Sequence, residues 1–223
     1  MSLKITNTKI SYLENPNPIL EINSLEFNEG INFLIGKNGT GKSTLLKAIS
    51  NYNEEVIVTG NFELDGMALI NFNVGTVSQN PQKSINLELT FLENLVLAKT
   101  NNLEHLSLLK QVNNESINYV LKFLEKFNNY DFLKNLLNKT AYNLSSGQQQ
   151  ILSILMRVIR FQKVLLLDEC TANLDEENTK TIIGILLELV HKGTIVIFAT
   201  HQLELLKTDN SKIFKIENGT IKI

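Results

Sequence analysis

The sequence predicts an α/β protein with a parallel sheet covered on both faces and a helical lobe inserted in it. Three observations lead there. KVLLLDE and TIVIFATH contain short, continuously apolar runs, as expected of strands with helices on either side and no face turned to water. Helical patterns alternate with these strands along the chain. Between residues 84 and 143 the texture changes, and SINYVLKFLEKF places Ile117, Val120, Leu121, Leu124 and Phe127 at helical spacing. A chain of 223 residues suits one large domain or a domain with an inserted lobe.

Each element follows from its own pattern. LKITNTKISY, ILEINSLEF and INFLIG read as strands, with turns at NPNP and NEG. A helix runs from Lys42 to about Ser50, followed by strand-like EVIVTGNFEL and NVGTVSQ. LTFLENLVLAK opens a helix, because Thr90 and Glu93 form a capping-box pair. YDFLKNLLNK continues in helical style. After Leu144 come the helix GQQQILSILMRVIRF, the strand KVLLL, a helix over about 176–191 and the strand TIVIFA. A short helix follows, and IFKIENGTIKI closes as a hairpin about Asn218-Gly219. The predicted division is residues 1–83 and 144–223 as the core and 84–143 as the helical lobe.

Composition excludes several functions. A net charge of −2 and the absence of a basic run leave no field for nucleic acid. One cysteine, Cys170, permits no internal disulfide and fits a reducing compartment. MSLKITNTKISYLE lacks the apolar core of a signal peptide. No apolar run approaches the ~18–20 residues that span a bilayer, so work at a membrane would go through a partner.

Two stretches face phosphate. GKNGTGKS fits G-x-x-x-x-G-K-[ST] at Gly36, Gly41, Lys42 and Ser43, between a strand and a helix. Its glycines let the backbone curl so that successive N–H groups point at phosphate oxygens. Lys42 reaches the β- and γ-phosphates, and the Ser43 hydroxyl can ligate Mg²⁺. Asn38, Gly39 and Thr44 complete this loop. VLLLDE ends an apolar strand in Asp168, a second Mg²⁺ ligand at the sheet edge where ligands bind, with Glu169 beside the attacking water. The other stretch, NLSSGQQQ, is also a turn that opens a helix, and a helix N-terminus attracts anions. One domain therefore carries two phosphate-facing helix starts.

In this order the motifs resemble those of the ATP-binding subunit of ABC transporters, over the whole chain. The elements are Walker A at 36–43, Gln79 in TVSQNPQ, the signature LSSGQ at 144–148, Walker B at 164–168, Glu169, the D-loop acid Asp175 and His201 in FATHQ. The resemblance implies a P-loop NTPase core of RecA type, with an N-terminal antiparallel β-subdomain and the helical insertion. It also implies a reason for two sites, since subunits of this family pair head to tail with ATP between Walker A of one and the signature of the other. Ser145, Gly147 and Gln148 would then meet the nucleotide of a partner, and Asp175 would lie at the dimer seam. Glu169, His201 and Gln79 are implied as catalytic residues, Gln79 also as a Mg²⁺ sensor, and Tyr12 as the ring stacked on adenine. Ser146 stands where the family usually has glycine, Ile151 where it often has arginine, and Cys170 where it has proline or alanine.

The implied function is an ATPase using ATP and Mg²⁺, paired with a second nucleotide-binding subunit and with transmembrane permease subunits. It would be cytoplasmic and peripheral on the inner face of the cell membrane. Its short form resembles subunits of small bacterial exporters, including peptide and bacteriocin systems. The alternative is a soluble ATPase of the same type, such as one assisting iron–sulfur assembly. DNA-repair relatives would need a long coiled coil where this chain has residues 84–143, and translation factors would need two such domains.

Overall fold

The computed structural model describes residues 1–50, 55–100, 112–172, 174–201 and 211–222. The short helix expected after His201 lies outside them. Two compact units emerge, one of residues 1–79, 162–172 and 189–223, the other of 80–161 and 173–188.

In the first unit the chain forms β1 (Ser2–Tyr12), β2 (Asn15–Asn28), β3 (Gly30–Ile35), α1 (Lys42–Ser50), β4 (Val56–Leu64), β5 (Met67–Ala68) and β6 (Val74–Val77). It returns with β7 (Val164–Asp168), β8 (Ile195–Ala199), β9 (Ser211–Glu217) and β10 (Thr220–Lys222). A four-stranded antiparallel sheet has the order β2-β1-β4-β5, and a six-stranded sheet has the order β10-β9-β3-β8-β7-β6. The pairs β3–β9, β3–β8, β8–β7 and β7–β6 are parallel, and only the terminal hairpin β9–β10 is antiparallel. Every residue of β8 is buried, as is all of β7 except Asp168.

The core forms where the sheets and α1 meet. Leu45 and Ile49 of α1 pack with Leu34, Leu166 and Ile197. The Phe27 and Phe214 rings lie 4.7 Å apart by centroid. Asn218 and Gly219 both have positive φ, which matches the twist of the hairpin they join.

One predicted turn moves. The chain reverses at Leu13–Glu14, and NPNP forms the start of β2. Proline cannot donate to a ladder, but β2 is an edge strand of its sheet, where Pro16 and Pro18 are tolerated.

The second unit holds α2 (Phe91–Lys99), α3 (Asn114–Leu124), α4 (Tyr130–Lys134), α5 (Ser146–Val158) and most of α6 (Glu176–Val190). The expected capping box is present: Glu93 N–H donates to Thr90 Oγ1 at 3.2 Å, and Thr90 N–H donates to Glu93 Oε2 at 2.8 Å. Val120, Phe123, Leu124 and Phe127 are buried, whereas Ile117 and Leu121 are half-buried. The buried face of α3 is therefore rotated towards Phe123, whose ring meets Phe127 edge-on at 5.3 Å. Buried Asn94 donates from Nδ2 to the carbonyls of Asn86, Leu89 and Thr90, closing the loop before α2. No helix among the described residues is long and apolar enough to cross a membrane.

Candidate functional site

The topology of the six-stranded sheet creates the first site. Strands β3, β8, β7 and β6 are adjacent and parallel, so their C-terminal ends deliver four loops to one edge, where open α/β sheets bind ligands. The loop after β3 carries Gly36 to Thr44, Gln79 follows β6, Asp168 ends β7 with Glu169 next, and His201 follows β8. Two backbone bonds lock these ends together: Glu169 N–H donates to Ala199 O at 2.9 Å, and Thr200 N–H donates to Leu34 O at 3.1 Å.

A cleft of about 490 Å³ opens there, lined by Asn38, Gly39, Gly41, Lys42, Ser43 and Thr44 on the loop side. Tyr12, Ile19, Gln79, Asp168 and Glu169 complete it. Gly41 has φ +104, and a Cβ there would press on Leu20 at 3.1 Å, so both backbone and space require glycine. Lys42 is only 5 % exposed, unusual for lysine. Its ammonium donates to Gly36 O at 2.9 Å and Lys37 O at 3.3 Å, and lies 3.7 Å from Glu169 Oε1. Two carbonyls and a carboxylate thus surround the buried ammonium at the cleft.

The Ser43 hydroxyl donates to Asp168 Oδ1 at 3.1 Å. Burial, the largest cause, holds the Asp168 carboxyl above the usual carboxylate range, and the nearby Glu169 charge adds to this. The Ser43 bond and the Lys42 cation oppose it. Glu169 has φ +48, a left-handed conformation that costs energy for a side chain without a local reason. Held so, its Oε1 stands 3.5 Å from His201 Nδ1 as well as near Lys42. The Tyr12 hydroxyl and Thr44 Oγ1 form a hydrogen bond at 3.1 Å, and Lys47 Nζ lies 5.7 Å from the Tyr12 ring centroid.

Ser145, Gly147, Gln148 and Asp175 belong to the second unit. Ser145 caps α5: Gln148 N–H donates to Ser145 Oγ at 3.2 Å, and Ser145 N–H donates to Gln148 Oε1 at 3.1 Å. This reciprocal pair is legible in the sequence as S-x-x-Q. Asp175 accepts the backbone N–H and the side-chain Nδ2 of Asn178, both at 2.7 Å. Asn178 in turn backs onto Gly147, where an added Cβ would sit 2.6 Å from its Nδ2. Two residues here escaped the sequence reading. Ile19, beside Tyr12, is an ordinary apolar residue at the level of sequence. Asn178 is recognised only through its contact with Gly147.

Cys170 is 2 % exposed, and burial pushes its thiol well above the ordinary value. The folded protein is expected to resist iodoacetamide at pH 8 while the urea-denatured chain is fully alkylated, as mass spectrometry would read. Rapid labelling of the folded protein would show instead that the thiol is available for chemistry.

The sequence matches the family model described as ABC transporter over residues 20–172. An energy-coupling factor transporter ATP-binding protein of Thermotoga maritima is 34 % identical over 98 % of this chain and 80 % of its own length. A tyrosine transport ATP-binding protein of Clostridioides difficile is 34 % identical over 92 % of this chain and 83 % of its own. Among solved structures, a nucleotide-free ATP-binding cassette from an ABC transporter superposes with TM-score 0.78 at 24 % identity, covering 100 % of this chain and 90 % of that one. The two sheets, the loop around Lys42 and these matches agree, and the chain belongs to the ABC transporter family as an ATPase.

Proposed function

We propose that the chain is the ATP-hydrolysing subunit of a bacterial membrane transporter and works as a head-to-tail pair of nucleotide-binding subunits. The observation that carries this is the split of its phosphate-facing residues. Lys42, Ser43, Asp168 and Glu169 converge on the cleft of the first unit, and a capped helix start at Ser145 lies in the second. The backbone N–H groups of residues 36–44 and Lys42 take the phosphates, and the Tyr12 ring, held by Thr44, takes the adenine.

The donor set fits Mg²⁺. Ser43 and Asp168 place two hard oxygens together around a carboxyl that burial starves of water. Among the described residues no cluster of three acidic, histidine or cysteine ligands exists. Ser43, Asp168 and Gln79 would hold the ion, which when bound would supply neutralisation of charge on the transferring phosphoryl group. Glu169 accepts the proton of the attacking water at Oε1. His201 orients that carboxylate and contacts the γ-phosphate. ATP then joins two subunits through Ser145 and Gly147 of the partner copy, and hydrolysis releases them.

The relatives named for energy-coupling factor and tyrosine transport support a transport role. A membrane permease would dock on the edge of the second unit formed by residues 84–100, placing the protein on the cytoplasmic face of the membrane. Export of a peptide or bacteriocin is the finer reading; it rests on the resemblance to small exporters and draws nothing from these relatives.

The test uses Glu169→Gln, which keeps bound ATP uncleaved. This variant is expected to shift from monomer to dimer with Mg–ATP and not with ADP in size-exclusion chromatography with light scattering. Adding Ser145→Arg should return it to monomer, because the cation and its bulk occupy the γ-phosphate position. Equal dimerisation of the double variant would remove NLSSGQQQ from the nucleotide site.

A further inference from the structure

A second cavity, of about 320 Å³, opens within the second unit away from the nucleotide residues. Leu97, Ala98 and Met156 supply its apolar wall, and Asn86, Arg157 and Arg160 its polar one. Arg157 and Arg160 are the only arginines of the chain. Arg157 lies in the last turn of α5 and Arg160 two residues beyond its end, and both line the cavity.

The two guanidinium groups are held differently. Arg160 donates from Nε to Ala98 O and from Nη2 to Thr100 O, which pins it to the end of α2. Arg157 Nε is buried and has no hydrogen-bond partner among the described residues. A guanidinium keeps its charge in any protein, so an unanswered buried donor on it is costly. Burial and then the Arg160 charge both hold Arg157 below the ordinary arginine value, and among the described residues no acidic group offsets them. The cavity therefore combines two like charges, an orphaned donor and an apolar wall.

We infer that this cavity seats a carboxylate side chain, carried on an apolar helical segment of the membrane subunit, between Arg157 and Arg160. The inference rests on the docking edge proposed above and names its chemistry. A planar carboxylate answers the fork of Arg157 with paired hydrogen bonds. The methylene stem of a glutamate lies along Leu97, Ala98 and Met156, a wall that a free inorganic anion would leave uncovered. The segment is thus positioned by charge at one point and by apolar contact around it.

Because the chain has two arginines, its arginine Nε–H spectrum by ¹⁵N NMR holds two signals, assigned with Arg157→Lys and Arg160→Lys. The probes are a blocked alanine–leucine helix with one central glutamate, the same peptide with glutamine, and inorganic phosphate at matched ionic strength. The glutamate peptide should shift the Arg157 signal and slow its exchange with water, and the glutamine peptide should bind at least ~10-fold more weakly, as expected for a lost charged hydrogen bond. Arg157→Gln should erase the difference between the peptides, with the Arg160 signal reporting an intact fold, and Arg157→Lys should restore part of it. Equal binding of the two peptides would overturn the carboxylate anchor while leaving the docking edge standing. A shift saturated by phosphate alone would make this a free-anion site, and no response to any probe would overturn the inference outright.

Discussion

Glu169→Gln is expected to lower ATP turnover by ~10²–10⁴-fold, the usual worth of a positioned general base, with ATP affinity little changed. The reasoning is local. Glu169 is the carboxylate within reach of both Lys42 and His201, at 3.7 and 3.5 Å, and its backbone is held at φ +48 by its place directly after β7. Glutamine pays the same backbone cost as glutamate there, so the variant should fold equally well. It keeps the size of the side chain and removes the negative charge, and with it the ability to take a proton. Lys42 retains its bonds to Gly36 and Lys37 carbonyls, so the phosphate-binding loop should not reorganise. Steady-state phosphate release and equilibrium binding of a fluorescent ATP analogue separate the two quantities. Turnover within threefold of the parent protein would assign the base elsewhere.

Lys42→Ala should have the larger effect on binding. A charged hydrogen bond to phosphate contributes ~1.5–3 kcal/mol, so if Lys42 bonds two phosphates, as proposed above, affinity for ATP should fall by ~100-fold or more. Turnover should fall with it. The fold should survive, because Gly36 and Lys37 are not buried and water can replace the lost donor at their carbonyls. Isothermal titration calorimetry with ATP, beside a thermal melt without nucleotide, reads both. Unchanged affinity would remove the loop from the nucleotide site, whereas a lost melt would show Lys42 to be structural.

Much of this was legible because the signals are local. The apolar runs of β7 and β8, the capping pair Thr90–Glu93 and the Asn218-Gly219 turn each depend on neighbours in sequence. So does the loop around Lys42, whose glycines, lysine and serine stand within nine consecutive residues. Family resemblance added Gln79, Asp175 and His201, which no local pattern singles out. NPNP misled because proline favours turns but is equally at home on an edge strand, and edge or interior is a property of the sheet. Phe123 was missed on α3 for a similar reason, since a helix has several apolar faces and packing chooses among them.

By itself the sequence determined the α/β class, the order of the elements and the chemistry available at each motif, because these follow from periodicity, caps and side-chain type. Only the tertiary structure decided that the ends of β3, β8, β7 and β6 are neighbours and so bring Lys42, Ser43, Gln79, Asp168 and Glu169 to one cleft. It likewise decided that Glu169 takes a left-handed backbone, that Asn178 backs onto Gly147, and that Arg157 has a donor unanswered among the described residues. The physical reason is the same in each case. Strand adjacency and burial arise from contacts between residues far apart in the chain, and the partner that satisfies or orphans a polar group is known only once those contacts exist.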